Sequence, residues 1–165
     1  IPNLTDIQNH KTPDWSLVNE YTDGTNAIVK TTKGNFTINL YVSDAPGSAL
    51  NFISLALDNF YDQKIFHRVV PNFVVQTGSP RSDNYGGKDY VIRSDLGPHV
   101  FDDEGYVGMA SAGPDSESTQ WFVTHSPTPH LDGKFSIFGK VTEGMDVIHN
   151  LQVGDQITDI IITDL

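Results

Sequence analysis

One short segment, Ile65–Gln76, combines a cation, an amide and an aromatic ring with two apolar runs joined at Pro71. Side chains of a strand alternate between faces, so Phe66 and Arg68 are predicted to share one face. A cation among apolar neighbours needs a reason, because a desolvated charge costs free energy unless it is paired or hydrogen-bonded. The segment therefore predicts a hairpin that carries one cation, Arg68, one amide, Gln76, and one aromatic ring, Phe73.

A second amide lies further along the chain, in the short apolar run Gln120–Thr124. Strand alternation predicts that Gln120 and Phe122 share a face while Trp121 points the other way. The loop before this run, 110–118, is made of small residues, which let another backbone approach closely. The small residues therefore predict a close approach of another backbone beside the second amide.

Composition bounds the class of protein. The 165 residues are 38% hydrophobic, which suits one compact domain with a core. Ten Lys and Arg against 21 Asp and Glu give a net charge of -11, which argues against a nucleic-acid partner. The absence of cysteine excludes disulfides and thiolate metal sites. No apolar run approaches the roughly 20 residues that span a bilayer.

Periodicity predicts the elements that position these side chains. The runs 26–32 and 35–41, joined by Lys33-Gly34, predict a hairpin, and Leu50, Ile53 and Leu57 predict a helix from Pro46 to near Asn59. Further strands are predicted at 105–109, 120–124, 135–141 and 157–162, with a second helix at 143–151. About eight short strands without a βαβ rhythm predict an all-β antiparallel barrel over 25–165, preceded by an extended lead-in over 1–24.

Other chemistries are poorly supported. Gly86-Gly87 lacks the strand and the lysine of a phosphate-binding loop, so a surface loop is predicted there. His125 and His130 have no carboxylate or thiol ligands at suitable spacing, so no metal is expected. No serine has a nucleophile-elbow pattern. His67, predicted to lie on the face opposite Arg68, is expected to be a hydrogen-bonded core residue.

Four blocks of the sequence together resemble the cyclophilins, the peptidyl-prolyl cis-trans isomerases. The first, Phe66–Gln76, resembles the family signature, and the others follow in matching order and spacing. They are Gly108–Pro114, Ser118–Val123 and Leu131–Val141. The resemblance extends from about residue 26 to residue 165.

The resemblance implies a closed eight-stranded antiparallel barrel capped by two helices, with peptide bound in an outer groove and no cofactor. It implies that Arg68 is the catalytic residue. Residues of the implied substrate site line the proline pocket, hydrogen-bond the peptide backbone or form the groove edge: Phe73, Val74, Gln76, Ala110, Ser111, Ala112, Gln120, Phe122, His130, Leu131 and Phe135.

Several positions depart from the family pattern. His130 stands where many members have a tryptophan that contacts cyclosporin, so weak cyclosporin binding is expected. Phe135 stands where many have a histidine, Val74 where methionine is usual, and Ser111 where asparagine is usual. Thr77 replaces a glycine. These departures concern substrate preference and drug sensitivity more than activity.

Three classes of function remain open from the sequence. The first is an isomerase acting on X-Pro bonds of unfolded or loop peptides, which assists folding. The second is a binding module that holds proline-containing segments within a larger protein, and the third, weaker, is a ligand-carrying barrel. A monomer is expected. Bacterial cytoplasm, periplasm and cell envelope all remain possible, and the first residue, Ile1, suggests a trimmed, mature or excised domain.

Overall fold

A computed structural model describes residues 10–83 and 85–164. The strands are β1 (Asn26–Thr31), β2 (Gly34–Leu40), β3 (Arg68–Val70), β4 (Val74–Thr77), β5 (Tyr106–Met109), β6 (Trp121–Thr124), β7 (Ile137–Glu143) and β8 (Ile157–Thr163). The helices are α1 (Pro46–Leu57) and α2 (Met145–Asn150), and single 3-10 turns occur at Leu17–Asn19 and Pro129–Leu131. The predicted strands and helices are therefore present, within a few residues of the predicted bounds.

The eight strands form one antiparallel sheet in the order β3-β4-β6-β5-β7-β2-β1-β8. The β1–β2 hairpin has the predicted tight turn, with Thr31 opposite Gly34. Strand β8 returns from the far end of the chain to pair with β1. The sheet curls into a half-barrel, with the β3–β4 hairpin at one edge.

The predicted closure of the barrel is wrong, because the sheet is open between β3 and β8. The chain ahead of β3 approaches the β8 side through one isolated bridge between Ile65 and Gln156, supported by a 2.9 Å bond from the Phe66 N–H to the Asp155 carbonyl. By Arg68 the same chain pairs with β4 on the other side. Residues 63–66 and 154–157 share four backbone hydrogen bonds, but β3 and β8 themselves are not paired, so the sheet stays open.

The interior of the half-barrel is filled by aromatic and branched aliphatic side chains. Trp121 lies at its centre, with the Phe52 ring edge-on at 5.5 Å and the Phe66 ring edge-on at 6.5 Å. Helix α1 covers this core and buries its residues Leu50 and Ile53. The filled interior argues against the ligand-carrying barrel and leaves the outer face of the sheet for binding.

Helix α1 begins at Pro46, as predicted, and its N-terminus is capped by a residue from another part of the chain. Ala45 occupies the N-cap position, and no side chain caps locally. Instead the carboxylate of Asp95, distant in sequence, accepts a 2.7 Å bond from the Ser48 N–H. None of the helices in the described part of the chain has the length and apolar character needed to cross a membrane.

The predicted shared face of Phe66 and Arg68 is wrong. Phe66 is fully buried in the core with Val75, whereas Arg68 lies on the outer side of the sheet with Gln76. Alternation of faces fails between them because β3 begins only at Arg68. Of the predicted lead-in, residues 1–9 lie outside the described residues, and the division at residue 24 stays a prediction.

Candidate functional site

Strand pairing aligns the predicted site residues in one row across the sheet. Arg68 is opposite Gln76, Gln76 is opposite Phe122, and Phe122 is opposite Gly108. The turn at Pro71–Phe73 fixes this register, because the Phe73 N–H donates a 3.0 Å bond to the Val70 carbonyl. The row therefore presents a cation, an amide and an aromatic ring to the same outer surface, in that order.

The three polar side chains of the site form a directed chain of hydrogen bonds. Arg68 Nη1 donates to Gln76 Oε1 at 3.4 Å, and Gln76 Nε2 donates to Gln120 Oε1 at 2.8 Å. Gln120 Nε2 then donates to the Gly86 carbonyl at 2.8 Å. A guanidinium only donates and a carbonyl only accepts, so both ends of the chain impose the same orientation on the two amides.

Below the guanidinium is an apolar hollow of about 170 Å³. Its floor is the Phe122 ring, which is braced by Phe101 at 5.9 Å and by Phe135 at 5.7 Å. The volume is smaller than the roughly 300 Å³ of typical drug-sized sites, so the hollow suits a small apolar ring. Nine predicted residues line this first hollow: Arg68, Phe73, Val74, Gln76, Ala110, Ser111, Phe122, Leu131 and Phe135.

The remaining predicted residues lie next to this first hollow. His130 stacks on Phe73 with 5.4 Å between ring centroids, at the exposed rim. Ala112 and Gln120 line a second, larger hollow of about 330 Å³, which shares Gln76 with the first. All the predicted site residues are thus brought together along one continuous surface.

The second hollow contains residues that the sequence analysis missed. Its far wall is formed by Gly86, Gly87, Lys88, Tyr90 and Val91, of which the two glycines were predicted to lie in a surface loop, and its base by Ser118 and Thr119. The pair Gly86-Gly87 was the sequence feature that could have indicated this wall. A Cβ on Gly87 would lie 2.5 Å from the side chain of Ser118, so a residue larger than glycine would push this wall away from the base.

The guanidinium of Arg68 is not engaged by an acid. Within residues 10–83 and 85–164, the salt bridges join other residues, and Arg68 has no carboxylate within 4.0 Å. Its guanidinium carbon lies 5.8 Å from the centroid of the Phe73 ring, at the edge of the first hollow. In the part of the chain that the structure describes, no surface salt bridge therefore accounts for this arginine.

His67 precedes Arg68 and is only half-buried, so its predicted core position is wrong. Both ring nitrogens are buried, and neither has a hydrogen-bond partner in the part of the chain that the structure describes. Burial lowers the pKa of His67 from its ordinary value, which favours the neutral ring. His67 therefore adds no charge beside Arg68 at neutral pH.

Comparison with known proteins gives a consistent result. The sequence model of the family described as "Cyclophilin type peptidyl-prolyl cis-trans isomerase/CLD" matches residues 27–164. A Synechococcus elongatus peptidyl-prolyl cis-trans isomerase is 39% identical over 145 residues, covering 85% of this chain and 98% of the relative. Bacillus subtilis peptidyl-prolyl cis-trans isomerase B is 42% identical over 123 residues, covering 73% and 85%.

Solved structures agree. The crystal structure of a Cryptosporidium parvum cyclophilin type peptidyl-prolyl cis-trans isomerase aligns with a TM-score of 0.80 and 27% identity, covering 86% of this chain and 98% of that one. The same protein was also crystallised in the presence of the dipeptide Ala-Pro. This chain belongs to the cyclophilin-type peptidyl-prolyl cis-trans isomerases, enzymes that rotate X-Pro peptide bonds. The family and activity predicted from the four sequence blocks are confirmed.

Proposed function

We propose that Arg68 is the catalytic residue of this isomerase and that the first hollow holds the substrate proline. The observation that carries the proposal is a guanidinium without a carboxylate partner, aligned with Gln76, at the rim of an apolar hollow of about 170 Å³. A proline ring in that hollow brings its own amide nitrogen to the rim. The guanidinium is the nearest strong donor that could meet it there.

The chemistry required of Arg68 is modest. Rotation about the X-Pro bond meets a barrier of about 18–20 kcal/mol, because the prolyl nitrogen lone pair is delocalised into the carbonyl. A donor to that nitrogen in the twisted state localises the lone pair and so stabilises the transition state over both planar ground states. An acceleration of about 10⁵-fold requires roughly 7 kcal/mol of such differential stabilisation. No nucleophile, metal or proton transfer takes part.

The other residues bind and orient the peptide. Phe73, Val74, Phe122 and Leu131 enclose the proline ring, and Phe135 supports the Phe122 floor. Gln76 and Gln120 hydrogen-bond the peptide backbone, and the Ala110–Ala112 segment forms the groove edge between the two hollows. Fixing the peptide on both sides of the bond lowers the entropic cost of reaching the twisted state.

The second hollow receives a peptide residue beyond the one bonded to the proline, because it lies next to the first hollow and shares Gln76, Ala110 and Ser111 with it. The substrates are proline-containing segments that can lie extended in the groove, in unfolded chains or exposed loops. Support comes from the Cryptosporidium parvum relative, which was crystallised in the presence of Ala-Pro. The net charge of -11 disfavours nucleic acid as a further partner, and the domain acts as a monomer.

Cyclosporin binds weakly in this proposal. His130 stands at the exposed rim, stacked on Phe73, where many relatives present a larger tryptophan ring. An imidazole buries less apolar area against the ligand than an indole does. Each Å² of apolar area that is no longer buried costs about 25 cal/mol of binding free energy. Direct titration of the wild type and of His130→Trp with cyclosporin tests this, and equal, tight binding by both proteins would refute it.

Exchange spectroscopy on an Ala-Pro-Phe-type peptide tests the function as a whole. An isomerase shifts the peptide resonances and also produces cis-trans exchange peaks on a timescale much shorter than the tens of seconds of the free peptide. Shifted resonances without faster exchange would instead identify a binding module for proline-containing segments. Asn150→Asp, far from the groove on α2, is a control variant that should behave as the wild type.

A further inference from the structure

A segment ahead of the family match lies against the wall of the second hollow. Residues 10–14, here called the N-terminal strap, precede the matched region 27–164. His10 forms a parallel bridge with Val91, and the Lys11 N–H donates a 2.8 Å hydrogen bond to the Val91 carbonyl. Because Val91 lines the second hollow, the strap extends the backbone pairing of the wall from its outer side.

The side chain of Lys11 also holds the wall. Its ammonium lies 4.8 Å from the centroid of the Tyr90 ring, and Tyr90 lines the second hollow. On its other side, the Tyr90 hydroxyl donates a 2.7 Å hydrogen bond to Asn51 Oδ1 on α1. Asn51 Nδ2 donates at 2.7 Å to the Ser118 carbonyl at the base of the same hollow.

These contacts clamp Tyr90 between the strap and the helix. Hydrogen bonds to residues 117–120 also anchor the wall, from the Ile92 N–H to the Glu117 carbonyl at 2.8 Å, from the Lys88 N–H to Ser118 Oγ at 3.1 Å, and from Gln120 Nε2 to the Gly86 carbonyl at 2.8 Å. All three join the wall to the base side of the hollow. The strap adds contacts at Tyr90 and Val91 that none of these three bonds makes.

We propose that the N-terminal strap is a positioning element that sets the affinity for extended peptides by holding the Lys88–Val91 wall of the second hollow. The inference rests on the proposed function of the groove. A wall held in place before binding lowers the ordering cost of the complex, which strengthens binding. A peptide too short to leave the first hollow does not touch this wall, so its affinity is independent of the strap.

The test compares the dissociation constants of a capped Ala-Pro dipeptide and of a longer peptide with several residues on each side of Ala-Pro. Lys11→Pro removes both the N–H that bonds Val91 and the ammonium over Tyr90. Thr12→Pro is the matched control, since the Thr12 N–H makes no hydrogen bond within the described residues. Lys11→Met keeps the backbone hydrogen bond and loses only the cation. This variant still tests the strap if the proline variant does not fold.

We expect Lys11→Pro to raise the dissociation constant of the longer peptide about three- to tenfold, because one hydrogen bond and one cation-π contact are lost. Lys11→Met should raise this dissociation constant less, and Thr12→Pro should leave it within about twofold of the wild-type value. The dipeptide should bind all variants equally. An equal change for both peptides, or no change for either, would overturn the proposal. Turnover, measured separately, reports on Arg68, so failure of the catalytic proposal leaves this comparison interpretable.

Discussion

The side-chain amide of Gln76 donates its 2.8 Å hydrogen bond to an amide, Gln120, that lies 44 residues further along the chain. Gln120 in turn binds the Gly86 carbonyl on the wall of the second hollow. This pair therefore connects the rim of the first hollow, where Arg68 lies, with the second. Neither amide is free to rotate, because its partners on both sides have fixed donor and acceptor roles.

Gln120→Leu should lower kcat/KM without abolishing activity. The change keeps a similar side-chain volume but removes the acceptor of Gln76 Nε2 and leaves the Gly86 carbonyl without its partner. Each lost hydrogen bond is worth about 1 kcal/mol, so a decrease of roughly five- to thirtyfold is expected, mainly in KM. Gln152→Leu, on an exposed loop, is the control and should match the wild type. A Gln120→Leu enzyme with unchanged KM would show that the amide pair does not orient the peptide.

Gly108→Ala should damage the proline pocket from behind. A Cβ on residue 108 would lie 2.5 Å from Cζ of Phe122, whose ring is hemmed in by Phe101 and Phe135. The ring can move only into the first hollow, which shrinks. We expect a higher KM for proline peptides and a loss of about 1–3 kcal/mol in the free energy of unfolding, as for overpacked cores.

Gly24→Ala is the matched control for that variant. A Cβ there would meet only Thr22 Oγ1, at an ordinary 3.6 Å, and the position needs no left-handed backbone. Its KM and its free energy of unfolding should stay near the wild-type values. If Gly108→Ala also kept the wild-type KM, Phe122 would not be the floor of the substrate pocket.

Stability should decrease as the pH falls below neutrality, in part through His125. Its ring is buried beside His149 on α2, with 5.2 Å between centroids, and His149 binds Glu104. Burial, followed by the charge of His149, lowers the pKa of His125 from its ordinary value of 6.5, although Glu104 acts in the opposite direction. Below about pH 6.5 the unfolded chain therefore binds more protons than the folded one.

The stabilisation from neutral His125 is thus present above its unfolded pKa and is lost as the pH falls towards its folded pKa. Urea unfolding between about pH 7.5 and 5.5 checks this, in a range above the ordinary carboxylate pKa values. His125→Phe keeps a ring and removes the titration, so the free energy of unfolding should fall less steeply with decreasing pH. An unchanged slope would exclude His125 as a source of the pH dependence.

Local patterns predicted the elements well where one face of each strand is buried. Alternation in 120–124 predicted that Trp121 points away from the face shared by Gln120 and Phe122, and in the structure Trp121 lies in the main core while Phe122 lines the first hollow. The hairpin turn at Lys33-Gly34 and the start of α1 at Pro46 followed from short-range backbone preferences. The family blocks then brought together residues that are distant in sequence, such as Arg68, Gln120 and Leu131.

The predictions that were wrong concern long-range geometry. Phe66 faces the core and Arg68 the groove, because the chain changes pairing partner between them, and periodicity within one segment cannot show that change. The closed barrel was implied by the family resemblance, and it is wrong because β3 and β8 do not pair. The wall at Gly86–Val91 was missed because its role comes from contacts with Ser118 and with the strap, and neither is visible in a loop sequence rich in turn residues.

The central claim is that the Arg68 guanidinium lowers the barrier to rotation. The most direct test is the cis-to-trans relaxation rate of an Ala-Pro-Phe-type peptide with wild type, Arg68→Ala and Arg68→Lys at equal concentration. Loss of one transition-state donor should lower the rate about 10²- to 10³-fold in a folded Arg68→Ala enzyme. Arg68→Lys should recover only part of it, because an ammonium lacks the planar fork of donors.

Peptide affinity, measured on the same samples, should change far less than the rate, because the apolar hollow remains. That combination would identify Arg68 as a group that acts on the transition state. A folded Arg68→Ala enzyme that relaxes the peptide at the wild-type rate would contradict the account, and catalysis would then have to come from the hollow and the amide pair alone.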